Sequence, residues 1–198
     1  MKRIGTLTAA QSRRAFTMLL FAFTAIGVIA GSVYGAAHPE NGSFWLHQYF
    51  VPAPLNSPIP ALMKVTFLSS ALFIAAAYLT GLFAFGQPFG FSLLIYRGFG
   101  MGFSSALTYT SLGIHALPRI TLLLLPRALA VTVLSVLAVR ELMRSSGNLL
   151  RSLTRGEIRD DKRSDLKHYT LKFAVLLLLS LLISLADGAV FAVFARLN

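Results

Sequence analysis

No cysteine occurs among the 198 residues, which excludes disulfides, thiolate metal sites and cysteine nucleophiles. Charge is scarce as well: 13% of the residues are Asp, Glu, Lys or Arg, against 56% that are hydrophobic. A soluble domain of this size would need more charge to cover its surface. Acidic residues are the rarer sign, seven against eighteen Lys plus Arg, for a formal net charge of +11. No phosphate-cradling loop of the P-loop type is present, which removes a built-in ATPase. The four histidines, His38, His47, His115 and His168, form no metal-ligand spacing such as HExxH, so neither a metal nor another cofactor is expected.

What the chain has instead is long apolar runs. A hydrocarbon core of about 30 Å is crossed by about 20 helical residues, and five runs approach that length, at about 16–34, 63–85, 91–111, 118–139 and 171–194. Backbone amides inside a bilayer must be bonded within their own segment, so each run is expected to be a helix. The fold class is therefore all-α, a polytopic membrane protein with about five transmembrane helices in a single domain over 1–198. A signal peptide is the rival reading of the first run, since Gly35-Ala36-Ala37 would make a passable cleavage site. A retained helix is preferred because the run is long for a signal core. It also sets Gly27, Gly31 and Gly35 on one face, where another backbone can approach closely.

The connections have characters of their own. An outer loop over 36–61 holds five of the eight prolines. Within it, Trp45, Leu46, Tyr49 and Phe50, preceded by Ser43 as an N-cap, read as a short amphipathic helix at the interface or a docking surface for a partner. Gly86-Gln87-Pro88 reads as a tight turn, and Leu112 to Leu117 as a short polar one. The segment 140–170 is basic, partly helical and cytoplasmic.

A net charge of this size would suit nucleic acid, but the charges cluster beside apolar runs, as an orientation signal does. With the N-terminus inside, the inner flanks hold thirteen of the eighteen basic residues and the outer flanks three, Lys64, Arg119 and Arg196. The N-terminus is thus expected to be cytoplasmic and the C-terminus extracytoplasmic, with anionic lipid rather than nucleic acid as the partner of the basic flanks.

Three charges fall within spans. Arg97 lies near enough to the inner end of its span to snorkel. Arg127 and Asp187 lie deeper, at roughly 20 Å and 22 Å above the inner surface at helical rise. Such charges are expensive alone, so an Arg127–Asp187 ion pair between the fourth and fifth spans is expected. It would act as a structural clasp or as part of a substrate or proton path. The clasp is preferred because a path needs more polar lining. Pro118 opens the fourth span, and Pro126, which lacks a backbone donor, should kink it. Gly102-Phe103-Ser104-Ser105-Ala106 resembles the serine motif of rhomboid proteases, but a serine nucleophile needs a base in reach and no later histidine falls at membrane depth. No enzymatic activity is expected.

From Phe67 onward the chain resembles the stage II sporulation protein M family of bacterial integral membrane proteins. The resemblance is carried by Gly98, Gly102 and Phe103 in Arg97-Gly98-Phe99-Gly100-Met101-Gly102-Phe103, then by Leu117-Pro118, Pro126, a basic segment and a last span with Asp187. Arg119-Ile120 departs from it, since polar residues such as Gln-Asn usually follow the first proline. The resemblance implies a non-enzymatic scaffold of the engulfment machinery. It would lie in the cell membrane, at the sporulation septum on the mother-cell side, with stage II sporulation proteins D and P as partners that degrade septal peptidoglycan. The seams at Gly27, Gly31, Gly35 and at Gly98, Gly102 would serve helix association within the chain or in a homo-oligomer. The alternative is a small transporter or permease subunit using Arg127 and Asp187.

Overall fold

The computed structural model describes residues 9–38, 59–113, 125–155 and 162–197. Five helices make up these stretches: α1 (Ala9–Ala37), α2 (Ile59–Gly81), α3 (Gly86–Leu112), α4 (Leu125–Arg155) and α5 (Lys162–Leu197). The segment around Trp45 and the residues Pro118 and Arg119 lie outside the described residues.

Three of the helices are long and apolar enough to cross a membrane, over Arg14–Ala37, Met63–Gly81 and Leu166–Val193. The other two are built differently. In α3 the apolar residues alternate with Gly, Ser, Thr and Tyr, and α4 turns from apolar to basic after Val139.

Contacts between the helices fix their directions. Gly27 and Gly31 of α1 lie against Ile95 and Phe99 of α3, so both chains advance together and the two helices are parallel. α2 and α3 form an antiparallel hairpin, with Arg97 reaching Ser69 across it. Gly90 of α3 meets Val139 and Met143 of α4, while Met101 lies near Thr132, which makes that pair antiparallel. Arg127 meets Asp187, and Glu141 meets Lys172, so α4 and α5 are antiparallel too. Helices α1, α3 and α5 therefore point one way, and α2 and α4 the other. Arg14, Arg140, Arg144, Arg151, Lys167 and Lys172 all belong to one end of the bundle, hereafter the basic end.

The α2–α3 turn differs from the sequence expectation. The second apolar run stops being helical at Gly81, and the turn occupies 82–85, closed by Leu82 N–H to the Leu79 carbonyl and Phe83 N–H to Thr80. Gly86-Gln87-Pro88 is not the turn but the first turn of α3. A proline is tolerated there because the first amides of a helix have no intrahelical acceptor. Pro126 likewise falls in the first turn of α4 as described.

The core lies between α2, α3, α4 and α5 and includes Ile74, Leu94, Val139, Leu142 and Phe173, with Leu20 joining it from α1. Outward faces are apolar as well: Met18, Ile29 and Val33 of α1 and Leu171 of α5 are each more than 60% exposed. In water such a surface would be a large cost, whereas hydrocarbon solvates it.

Candidate functional site: polar cross-links within the bundle

Polar side chains inside the bundle converge on α2. Its Thr66, Ser69 and Ser70 recur at i, i+3 and i+4, and all three are buried. Helical periodicity puts them on one face, and that face reaches two neighbours, α5 and α3.

Toward α5, Thr66 Oγ1 donates to Asp187 Oδ2 at 2.9 Å. The same carboxylate oxygen stands 3.6 Å from Arg127 Nη1 on α4, with side chains only 14% and 10% exposed. Asp187 thus ties three helices together. One turn earlier on α5, Ser184 Oγ donates to the Met63 carbonyl at 2.7 Å. The residues matched by depth along the sequence, Arg127 and Asp187, are brought together here. Thr66 and Ser184 are additional partners, which depth along a single run does not single out.

Toward α3, Arg97 does not snorkel. It sits eleven residues into α3, roughly 16 Å from the helix start at 1.5 Å per residue, and is 5% exposed. Its Nη1 donates to Ser69 Oγ at 2.6 Å and its Nη2 to Ser70 Oγ at 3.2 Å. Its guanidinium carbon lies 5.7 Å from the centroid of the Phe73 ring, within range of a cation–π contact. At that depth hydroxyls on the next helix are closer than either helix end, and they solvate the charge in place of water. The hydroxyl triplet in an otherwise apolar run was the available signal.

A third cross-link closes the basic end. Ser146 of α4, fully buried, accepts from Gly86 N–H at 3.0 Å and donates to the Ala84 carbonyl at 2.9 Å. It caps the start of α3 from another helix, because Phe85 at the N-cap position has no side-chain acceptor. Nearby, Lys172 Nζ meets Glu141 Oε2 at 2.6 Å, and Tyr169 donates to the Tyr78 carbonyl at 3.0 Å.

The seam between α1 and α3 is made of backbone. A Cβ added at Gly31 would fall on the Phe99 carbonyl, and one added at Gly102 on the Val28 carbonyl; Gly27 meets Ile95 and Gly98 meets Thr24 in the same way. Gly35 is looser, with Phe103 and Ala106 side-chain atoms 3.0 and 3.1 Å from the same imaginary atom. Ser32 Oγ donates across the seam to the Gly102 carbonyl at 3.3 Å. Phe103 is buried against Tyr34, their ring centroids 6.1 Å apart. The glycines of the two runs are thus each other's partners within one chain.

Ser104 is buried, and its hydroxyl donates to the Met101 carbonyl of its own helix at 3.0 Å. His168 is exposed near the basic end, and His38 stacks on Tyr34 at the other end. Among the described residues no three His, Asp or Glu side chains converge in a way that could hold a metal ion. Comparison of the chain with protein-family models, with curated proteins and with solved structures finds no match.

Proposed function

We propose that this protein is an integral membrane scaffold without catalytic activity, spanning the bilayer five times with its basic end in the cytoplasm. The observation that carries this reading is the use of the interior polar groups. Arg127, Asp187, Thr66, Arg97, Ser69, Ser70 and Ser146 all bond from one helix to another. Such cross-links hold helices in fixed relation. Two further spans, α3 and α4, are supported by direction: α1, α3 and α5 point one way and α2 and α4 the other, as successive crossings must. Thirteen basic residues at one side, against three at the other, then orient the bundle.

Within that class, the resemblance to stage II sporulation protein M carries the particular role: a cell-membrane scaffold at the sporulation septum that holds stage II sporulation proteins D and P during engulfment. Gentle detergent extraction from sporulating cells, with capture on the tagged chain, tests it. Recovery of those two proteins is expected. Their absence, together with completed engulfment in a deletion strain, would overturn the role and leave the membrane scaffold standing.

A transport reading has one observation in its favour. Thr66, Ser69 and Ser70 join the Asp187–Arg127 pair to Arg97 along one helix face. Substrate-dependent or proton flux in proteoliposomes, abolished by Thr66→Val, would favour it over the scaffold.

A further inference from the structure

We propose that α4 carries a binding site for the phosphate headgroup of an anionic phospholipid, built from Arg140 and Arg144, with Arg151 farther along the same stripe. The proposal rests on the membrane reading above and gives the basic end a defined ligand.

These arginines recur at i, i+4 and i+11 and are all exposed, which places them on one outward stripe of α4. None forms an ion pair or side-chain hydrogen bond among the described residues. The one carboxylate on this half of α4, Glu141, is held by Lys172 at 2.6 Å on the side of the helix facing α5. It is therefore engaged away from the ladder. The same stripe continues toward the other end of α4 as Leu129, Val133 and Leu137, exposed by 60%, 48% and 39%. From Leu129 to Arg140 is about 16 Å at helical rise, close to half of a roughly 30 Å hydrocarbon core. One outward face thus offers an apolar track one leaflet deep, ending in a pair of guanidinium groups one turn apart.

The surface of the α2–α3 turn at the same level is uncharged. In the α2–α3 turn and the start of α3, Phe83, Phe85 and Phe89 are 66%, 75% and 59% exposed, and no Lys, Arg, Asp or Glu occurs from Gly81 to Gly90. Aromatic side chains favour the headgroup level of a bilayer. Ser146, bonded to Gly86 at the start of α3, lies two residues beyond Arg144 on the buried face of α4, so the ladder and the aromatic turn lie at the same level of the bundle. Arginine presents a planar donor fork matched to a phosphate, and a diester phosphate whose headgroup adds no cation suits a site of one sign.

Native mass spectrometry of the full chain, purified from membranes and offered phosphatidylglycerol or phosphatidylcholine, tests the proposal. Phosphatidylglycerol should be retained preferentially. Arg140→Gln with Arg144→Gln should weaken that retention by about 25-fold, from about fivefold per basic residue at an anionic surface. Arg140→Lys with Arg144→Lys should keep most of it, and Lys64→Gln, at the other end, should match the parent. Equal retention of both lipids by the parent, or equal loss in Lys64→Gln, would overturn the site. Release of the chain from membranes by alkaline wash without detergent would instead contradict the membrane reading itself.

Discussion

Asp187 Oδ2 sits 2.9 Å from Thr66 Oγ1 and 3.6 Å from Arg127 Nη1, so one carboxylate oxygen joins α2, α4 and α5. The junction lies about 21 Å along α4 from the Glu141–Lys172 pair, fourteen residues away at helical rise. Two ion pairs therefore pin the antiparallel helices α4 and α5 near opposite ends of their contact. A chain with so few carboxylates has placed two of them where they fix the relative height of those helices.

The glycine seam should discriminate sharply between positions. Gly31→Ala and Gly102→Ala place a methyl group on a backbone carbonyl that cannot move without shifting a helix. Each should cost about 1–3 kcal/mol, the usual scale of overpacking. Gly147→Ala, whose nearest neighbour is the flexible end of Gln87 at 3.1 Å, should cost far less. Thermal unfolding in detergent measures the order.

Arg97→Lys should destabilise although the charge is kept. An ammonium cannot span Ser69 and Ser70 with the fork of a guanidinium. Loss of one hydrogen bond to a charged group, about 1.5–3 kcal/mol, is expected in the same unfolding assay. Ser69→Ala combined with Ser70→Ala should be worse than either single change, since the charge then loses both hydroxyl acceptors.

Ser146→Ala removes one of the two acceptors of Gly86 N–H, leaving the Phe83 carbonyl at 3.1 Å, and removes the donor to Ala84. The helix-cap scale puts the cost near 1 kcal/mol, rising toward 2 because the site is buried. Faster hydrogen exchange at the Gly86 amide would locate the effect at the start of α3.

The lack of native cysteine allows a direct test of orientation. Ser152→Cys, near the end of α4 at the basic end, and Ser111→Cys, at the far end of α3, should react with a membrane-impermeant maleimide from opposite sides of the membrane. Labelling of Ser152→Cys only after the cells are opened places the basic end inside. Both reacting in intact cells would contradict five spans.

Much of this bundle was legible because membrane helices are written as apolar runs and their levels as charges. Counting along the fourth and fifth runs was enough to match Arg127 with Asp187, since helical rise is constant. The α2–α3 turn falls four residues before the sequence places it, because Gly-Gln-Pro resembles a turn as strongly as it resembles a helix start. Leu82–Phe85, which forms the turn, carries no turn-forming side chain beyond the glycines that flank it. Arg97 reads as near enough to the inner end to snorkel because the apolar run that holds it begins five residues after the helix does. Its hydroxyl partners lie on another helix, which periodicity along one segment cannot reveal. The partnership of the two glycine runs was open for the same reason: a close-approach face does not name what approaches it.

Unfolding of charge-swapped variants tests most directly that the interior charges clasp the bundle. Arg127→Asp alone and Asp187→Arg alone should each lose at least about 3–5 kcal/mol, the scale for removing one member of a buried pair, because each also sets two like charges together. The double exchange should recover much of that loss, with no change in proton permeability of proteoliposomes. Single variants as stable as the parent, or a proton flux in the parent that disappears in them, would contradict the clasp.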